Sequence, residues 1–279
     1  MTGASGILAW LAPRAVPGVE VVGPDGYRRA LHGPRVATAA VADDVATTAD
    51  PDLARVFDLH RAAGGTDARA EADARLTWAA ERHGVPALAD AIAAQPALAQ
   101  PGCADAHEML VRAIVGQQIS VVAATQQLAL LGALGDALPP ALADDGIERC
   151  FPTMAQVADG ADVLRGPAAK TATVRRAAEA VASGAIPLER SSHAGTADLE
   201  AIRAQLLALK GIGPWTVGYL SLRLGDPDVL LLGDVAVRKG ARRLGIGDGL
   251  ADLAAFAADC AGHRSALMLR CWAAASELA

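Results

Sequence analysis

A mainly α-helical protein with a small N-terminal α+β unit is predicted by three observations. Alanine dominates an apolar fraction of 52% while aromatics make up only 3%, a balance that favours helix over sheet. From residue 74 onward apolar residues recur at helical spacing, and glycines and prolines fall regularly between the stripes. Ahead of that, from 16 to about 60, the short runs GVEVV, YRRAL and RVATAAV are separated by Pro, Gly and Asp turn signals and read as strands.

The first unit spans 1–73, and its last stretch, AAGGTDARAEAD (62–73), has no apolar stripe and reads as a loop. The helical region spans 74–279. Helices are expected near 74–82, 86–94, 105–116, 119–133, 155–159, 170–183, 197–209, 214–224, 235–244, 249–261 and 263–277. Within it, 198–224 forms a helical hairpin and 225–238 a loop that carries Asp234.

A net charge of −6 argues against a chain that coats its whole surface with nucleic acid. A local footprint is still available. Arg238, Lys239, Arg242 and Arg243 follow Asp234 directly, with Lys210 at the hairpin, and they form either a basic patch or a solvated helix face. Cys103, Cys150, Cys260 and Cys271 lack metal-finger spacing and are expected as buried thiols in a reducing cytosol. The start MTGASGILAWLAPRAV has neither signal-peptide anatomy nor transmembrane length, so a soluble protein without membrane attachment is expected.

The most informative stretch is LALKGIGPWTVGYLSLRLGDPDVLLLGDVAVRKGARRL. Leu199, Ile202, Leu206, Leu207 and Leu209 form an apolar stripe, capped near Thr196 or Asp198, before KGIGP turns the chain. Pro214 suits the first helical position, where its missing N–H costs nothing. Gly211 and Gly213 leave backbone amides unobstructed at a helix N-terminus, an anion site that needs no charged side chain; glycine also serves helix turns for steric reasons alone.

Asp234 lies 23 residues after Gly211 and heads a basic helix. It fits an N-cap, and capping is compatible with catalysis, because a helix N-terminus favours the ionised carboxylate that stabilises positive charge on a sugar or activates water. Trp215 and Tyr219, four apart, share one helical face, either as core packing or as a wall beside the hairpin. Trp272 reaches the same place from the last helix or packs in the core.

These residues resemble the helix-hairpin-helix glycosylase superfamily, whose signature is a GxG hairpin followed by an aspartate heading a helix. The blocks WLAPRAVPGVE (10–20), RVFDL (55–59), PGCADAHEMLVRAIVGQQISV (101–121), CFPT (150–153), GIGPWTVGYLSLR (211–223), GDVAVRK (233–239) and RSALMLRCW (264–272) resemble, in order, those of 3-methyladenine DNA glycosylase II, the AlkA type. The resemblance implies two helical domains behind a TBP-like α+β domain. It places Asp234 as the catalytic residue, Trp215, Tyr219 and Trp272 in the base pocket, and Gly211, Gly213, Lys210 and Arg238 on DNA. Gln118 falls where the family carries an apolar wedge that enters the duplex. A polar wedge is implied here, or an ordinary glutamine at a helix boundary.

Trp215 stands where bifunctional members carry a lysine nucleophile, so Schiff-base chemistry is not expected. The four-cysteine iron–sulfur loop of endonuclease III-like relatives is also missing. The expected reaction is hydrolysis of the N-glycosidic bond of alkylated purines in double-stranded DNA, of the 3-methyladenine and 7-methylguanine type. No cofactor is implied beyond a monovalent cation, Na+ or K+, on the hairpin backbone. A bifunctional glycosylase/lyase for oxidised bases and a non-catalytic DNA-binding module are the rival readings. Only about nine residues precede the WLAPRAV block, so the small sheet is expected to lack its first strand unless the chain starts late or belongs to a larger protein. A cytoplasmic monomer, fused to or associated with an Ada-type alkyl-transfer module, completes the expectation.

Overall fold

Four strands make up the N-terminal sheet: β1 (Glu20–Gly23), β2 (Gly26–Leu31), β3 (Arg35–Ala42) and β4 (Val45–Thr47), each antiparallel to the next in chain order. The computed structural model describes residues 3–59, 67–194 and 198–276. The three runs read from sequence supply β1 to β3. The fourth strand is too short to show alternation; it is entered through Asp43 and Asp44, whose φ values of 50° and 63° make the tight turn that pairs Ala42 with Val45.

Residues ahead of the sheet form α1 (Gly3–Leu11), an element the sequence reading did not place. Its Ile7, Leu8 and Leu11 pack with Tyr27, Leu31 and Ala39 of the sheet and with Leu53 and Val56 of α2 (Pro51–Val56). Asp50 caps α2 by accepting from the amides of Asp52 and Leu53.

The expected loop at 62–73 is corrected in its second half. Helix α3 (Ala68–His83) starts at Ala68, capped by the Asp67 carboxylate, while 60–66 lie outside the described residues. Its buried face is Ala72, Leu76, Ala79 and Ala80, a stripe of mostly small residues that the intervening charges hide in the sequence.

The remaining helices are α4 (Pro86–Ala94), α5 (Ala106–Val115), α6 (Val121–Gly132), α7 (Met154–Gly160), α8 (Ala168–Ala182), α9 (Leu199–Leu207), α10 (Pro214–Arg223), α11 (Val235–Arg243), α12 (Leu250–Ala258) and α13 (Arg264–Ser276). They bury two separate cores. One joins α5 to α10 through Leu110, Ile114, Leu131, Val174, Leu206 and Leu220; the other joins α3, α4 and α11 to α13 through Leu76, Leu88, Val237, Phe256 and Met268. Helix α10 serves both, and Tyr219 packs against each.

Two contacts set the position of the site between these parts. Gly240 of α11 lies so close to α13 that a Cβ there would stand 1.8 Å from the Cys271 carbonyl oxygen, so only glycine allows this approach. The N-terminal sheet is tied to α5 by a buried cluster of charges. Arg29 pairs with Glu108, Arg112 pairs with both Glu108 and Glu20, and Glu20 also accepts from Tyr27 and from the Val16 amide.

Candidate active site

The hairpin is built as its sequence requires. Asp198 caps α9 through the Ala201 amide; Thr196, the other candidate cap, lies outside the described residues. Of the apolar stripe, Ile202 and Leu206 are buried, Leu199 and Leu209 pack partly against the core, and Leu207 faces outward. Gly211 has φ of 95°, and a Cβ there would fall 2.1 Å from Thr173 Oγ1, so both backbone and packing exclude a side chain. Gly213 differs: it is the N-cap of α10 with φ of −115°, and a Cβ would meet nothing within 4 Å. Its surroundings are open, as an anion approaching the helix N-terminus requires.

Asp234 is the N-cap of α11, and its Oδ1 accepts from the Val237 amide at 2.9 Å. The same carboxylate receives both candidate indoles. Trp215 Nε1 donates to Oδ2 at 2.9 Å and Trp272 Nε1 to Oδ1 at 3.4 Å. All three donors are N–H groups, the complement of an ionised carboxylate, and among the described contacts they leave Oδ2 with one acceptor position free.

Tyr219 lies parallel to Trp215, with ring centroids 5.3 Å apart and planes 8° apart, and sits 6.3 Å from Trp272 at 58°. These three rings line one wall of a cavity of about 790 Å³. Asp234, itself half-buried, is not part of that lining, but its carboxylate is hydrogen-bonded to two side chains that are, Trp215 and Trp272.

The N-terminal unit also contributes to the lining. Trp10 lines the cavity, and the guanidinium carbons of Arg14 and Arg223 each lie 4.1 Å from its ring centroid. Burial pushes the Arg14 guanidinium below the ordinary arginine range, while its contact with Tyr219 opposes the shift. Sequence reasoning did not single out Trp10, Arg14 or Arg223. The available signal was Trp10 itself, one of only four tryptophans, at the head of the WLAPRAVPGVE block.

The basic patch is only partly as expected. Lys210, Arg238 and Arg242 are exposed and Lys239 is half-buried, but Arg243 turns inward and donates to the carbonyls of Ala274 and Ala275 at the end of α13. It caps a helix C-terminus and is removed from the footprint. Gln118 is exposed with φ of 59°, on a turn before α6 rather than inside a helix. Its neighbours Ile119 and Val121 are exposed hydrophobic residues that contribute to the cavity lining.

All four cysteines are free. Cys150, Cys260 and Cys271 are buried and Cys103 half-buried, and burial pushes the thiols of Cys103, Cys260 and Cys271 up to about 12. No group of three or more His, Cys, Asp or Glu side chains capable of holding a metal occurs among the described residues. Among them, too, no helix is long and apolar enough to cross a membrane.

A glycine-turned helical hairpin, an aspartate heading the next helix and an aromatic cavity beside two helical cores and a small sheet define the class: the helix-hairpin-helix DNA glycosylases. The fold is similar to that of a 3-methyladenine DNA-glycosylase from Archaeoglobus fulgidus, with a TM-score of 0.74 at 19% identity, covering 100% of this chain and 97% of that one. An 8-oxoguanine glycosylase/lyase from Clostridium acetobutylicum, solved with DNA, shares it at a TM-score of 0.62 and 14% identity, covering 88% of this chain and 83% of that one.

In sequence, the chain is 32% identical over 249 residues to "DNA-3-methyladenine glycosylase 2" of Escherichia coli, covering 84% of this chain and 82% of the relative. The chain belongs to that family of DNA-repair glycosylases. It is also 30% identical over 259 residues to a Mycobacterium tuberculosis protein named "Probable bifunctional transcriptional activator/DNA repair enzyme AlkA", covering 86% of this chain but spanning only 48% of that longer relative. No family model matches the chain.

Proposed function

We propose that this chain is a monofunctional DNA glycosylase that hydrolyses the N-glycosidic bond of alkylated purines, of the 3-methyladenine and 7-methylguanine type, in double-stranded DNA. The observation that carries this reading is the Asp234 carboxylate, held by two indole N–H groups at the head of α11 and linked through those rings to the cavity.

In this reading the hairpin amides around Gly211 and Gly213, with Lys210 and Arg238, hold the phosphate backbone. The target nucleotide leaves the stack at a cost of a few kcal/mol, smaller for damaged pairs, and Gln118 fills the gap. The base enters among Trp215, Tyr219 and Trp272, where stacking on a cationic alkylated purine is worth about 0.5–2 kcal/mol per good contact. The bond from C1′ to the purine nitrogen breaks with its electron pair going to the base. Water adds to C1′ and gives up a proton, leaving an abasic site. Asp234 stabilises the oxocarbenium-like sugar or orients that water.

Alkylation makes the base a good leaving group, so one carboxylate with an aromatic wall suffices. An indole at 215 supplies no amine for a Schiff base, which supports hydrolysis without strand cleavage.

A monovalent cation at the hairpin would sit on backbone carbonyl oxygens and help hold the phosphate. Two of these are already engaged: Lys210 O accepts from Arg176, and Gly211 O accepts from Gln117. Work in the cytoplasm as a monomer fits the reading, and the bifunctional name of the longer M. tuberculosis relative favours partnership with an Ada-type module.

The test is chromatographic identification of bases released from methylated duplex DNA. Release of methylated purines is expected, and tight binding without any release supports a DNA-binding module in which Asp234 only caps α11.

A further inference from the structure

The hairpin and the turn that carries Gln118 are built against the same helix. On α8, Lys170 Nζ donates to the carbonyls of Val115 at 3.1 Å and Gln117 at 2.5 Å, closing the end of α5 and the start of the turn. One turn further along α8, Thr173 fills the space beside Gly211, and Arg176 Nη2 donates to the Lys210 carbonyl at 2.8 Å. Gln117 then bridges the two turns. Its Nε2 donates to the Gly211 carbonyl at 3.1 Å and to Thr216 Oγ1 at 2.7 Å, using both amide hydrogens.

The next residue, Gln118, has φ of 59° and is exposed. A left-handed glutamine has no strong local reason for that conformation, since its longer side chain lacks the short-range backbone bonds that help Asn and Asp adopt it. Both its flanks are held: Gln117 by the hairpin and α8, and Ser120 by capping α6 through the Ala123 amide. The conformation of the turn is therefore imposed from outside it.

We propose that Gln117 and Lys170 are positioning residues that lock the Gln118 turn to the DNA-gripping hairpin, so that backbone grip and displacement of the target nucleotide move as one unit. This rests on the glycosylase reading, in which Gln118 enters the duplex. Without the lock, the hairpin still binds phosphate, but the energy of that grip no longer drives nucleotide extrusion. Any loss appears in opening the stack and not in the chemistry that follows.

The experiment compares wild type with Gln117→Met, Lys170→Met and Lys170→Arg under single turnover. It uses one purine lesion that wild type releases, placed either in a fully paired duplex or in an unpaired bulge where no partner needs displacing. In the paired duplex, excision is expected to fall by at least about tenfold in both methionine variants, with affinity for undamaged duplex falling much less. The bulged lesion is expected to restore most of the rate, and Lys170→Arg, which keeps charged donors, to stay close to wild type.

Equal losses on paired and bulged lesions would overturn the proposal, because they would mean that Gln117 acts through Thr216 on the neighbouring Trp215. Loss of duplex affinity in step with excision would overturn it as well. Activity on the bulged lesion shows that a variant is folded. Failure of wild type to release a base from either substrate contradicts the glycosylase reading itself.

Discussion

The Trp215 indole N–H donates to the Asp234 carboxylate at 2.9 Å while its ring lies parallel to Tyr219. One side chain thus fixes the carboxylate and forms part of the cavity wall. Trp215→Phe separates the two roles, because it keeps a ring and removes the donor. The base-release rate is expected to fall about tenfold, the equivalent of roughly 1.4 kcal/mol for a lost charge-assisted bond, with little change in duplex affinity. Single-turnover kinetics beside a binding titration checks this.

Absence of an amine at residue 215 makes a chemical prediction. Borohydride added during base release is expected to trap no covalent protein–DNA adduct, since reduction requires a Schiff base. Trapping through an exposed lysine such as Lys210, detected as a slowed band on a denaturing gel, would show lyase chemistry.

Gly240 and Cys271 bring α11 and α13 into backbone contact, and that contact places Trp272 beside Asp234. Gly240→Ala is expected to force the helices apart, costing about 3 kcal/mol of stability. Base release should drop further than the unfolded fraction explains, measured by thermal melting and by rate on the remaining folded protein.

Arg243 and Lys210 are both cationic, but Lys210 is exposed while Arg243 turns onto the end of α13. Lys210→Ala should reduce the slope of log affinity against log salt by about one, with stability unchanged. Arg243→Ala should leave that slope alone and lower the melting temperature, because its guanidinium caps α13.

The buried charges between sheet and α5 predict behaviour in acid. Burial alone would raise the Glu20 carboxyl, but Arg112 and Arg29 with the Tyr27 hydroxyl and Val16 amide outweigh it and lower it from 4.5 to about 2. A carboxylate depressed on folding contributes stability that is present above its unfolded value. That stability is lost as pH falls from about 4.5 towards 2, and its size is on the order of a few kcal/mol. Urea midpoints are expected to drop across that window in wild type. A Glu20→Gln variant should be less stable at pH 7 and should lose less between pH 5 and 3.

Much of this was legible in the sequence because local signals and tertiary demands agreed. Pro214 begins α10, Asp198 and Asp234 cap α9 and α11, and Gly211 turns the chain, all through interactions within a few residues. What sequence did not reveal depends on distant partners. Helix α1, GASGILAWL, has no clear polar face, so its periodicity does not mark it until the sheet covers Ile7 and Leu8.

Arg243 reads as part of a basic run, and only the end of α13 shows its direction. Trp10 sits early in the chain and joins the cavity through packing of the whole N-terminal unit. Asp234 could be located from its spacing to the hairpin, but its two indole donors arrive from positions 19 and 38 residues away in sequence.

The central claim is that Asp234 does chemistry in addition to capping α11. Asp234→Asn tests it most directly, because asparagine is also a good N-cap and keeps an acceptor for the Val237 amide while losing the charge. The measurement is single-turnover release of methylated purines from methylated duplex DNA by folded variant and wild type. The account predicts a fall of at least about a hundredfold with unchanged melting temperature and duplex affinity. Release at the wild-type rate would contradict it and leave Asp234 as a helix cap alone.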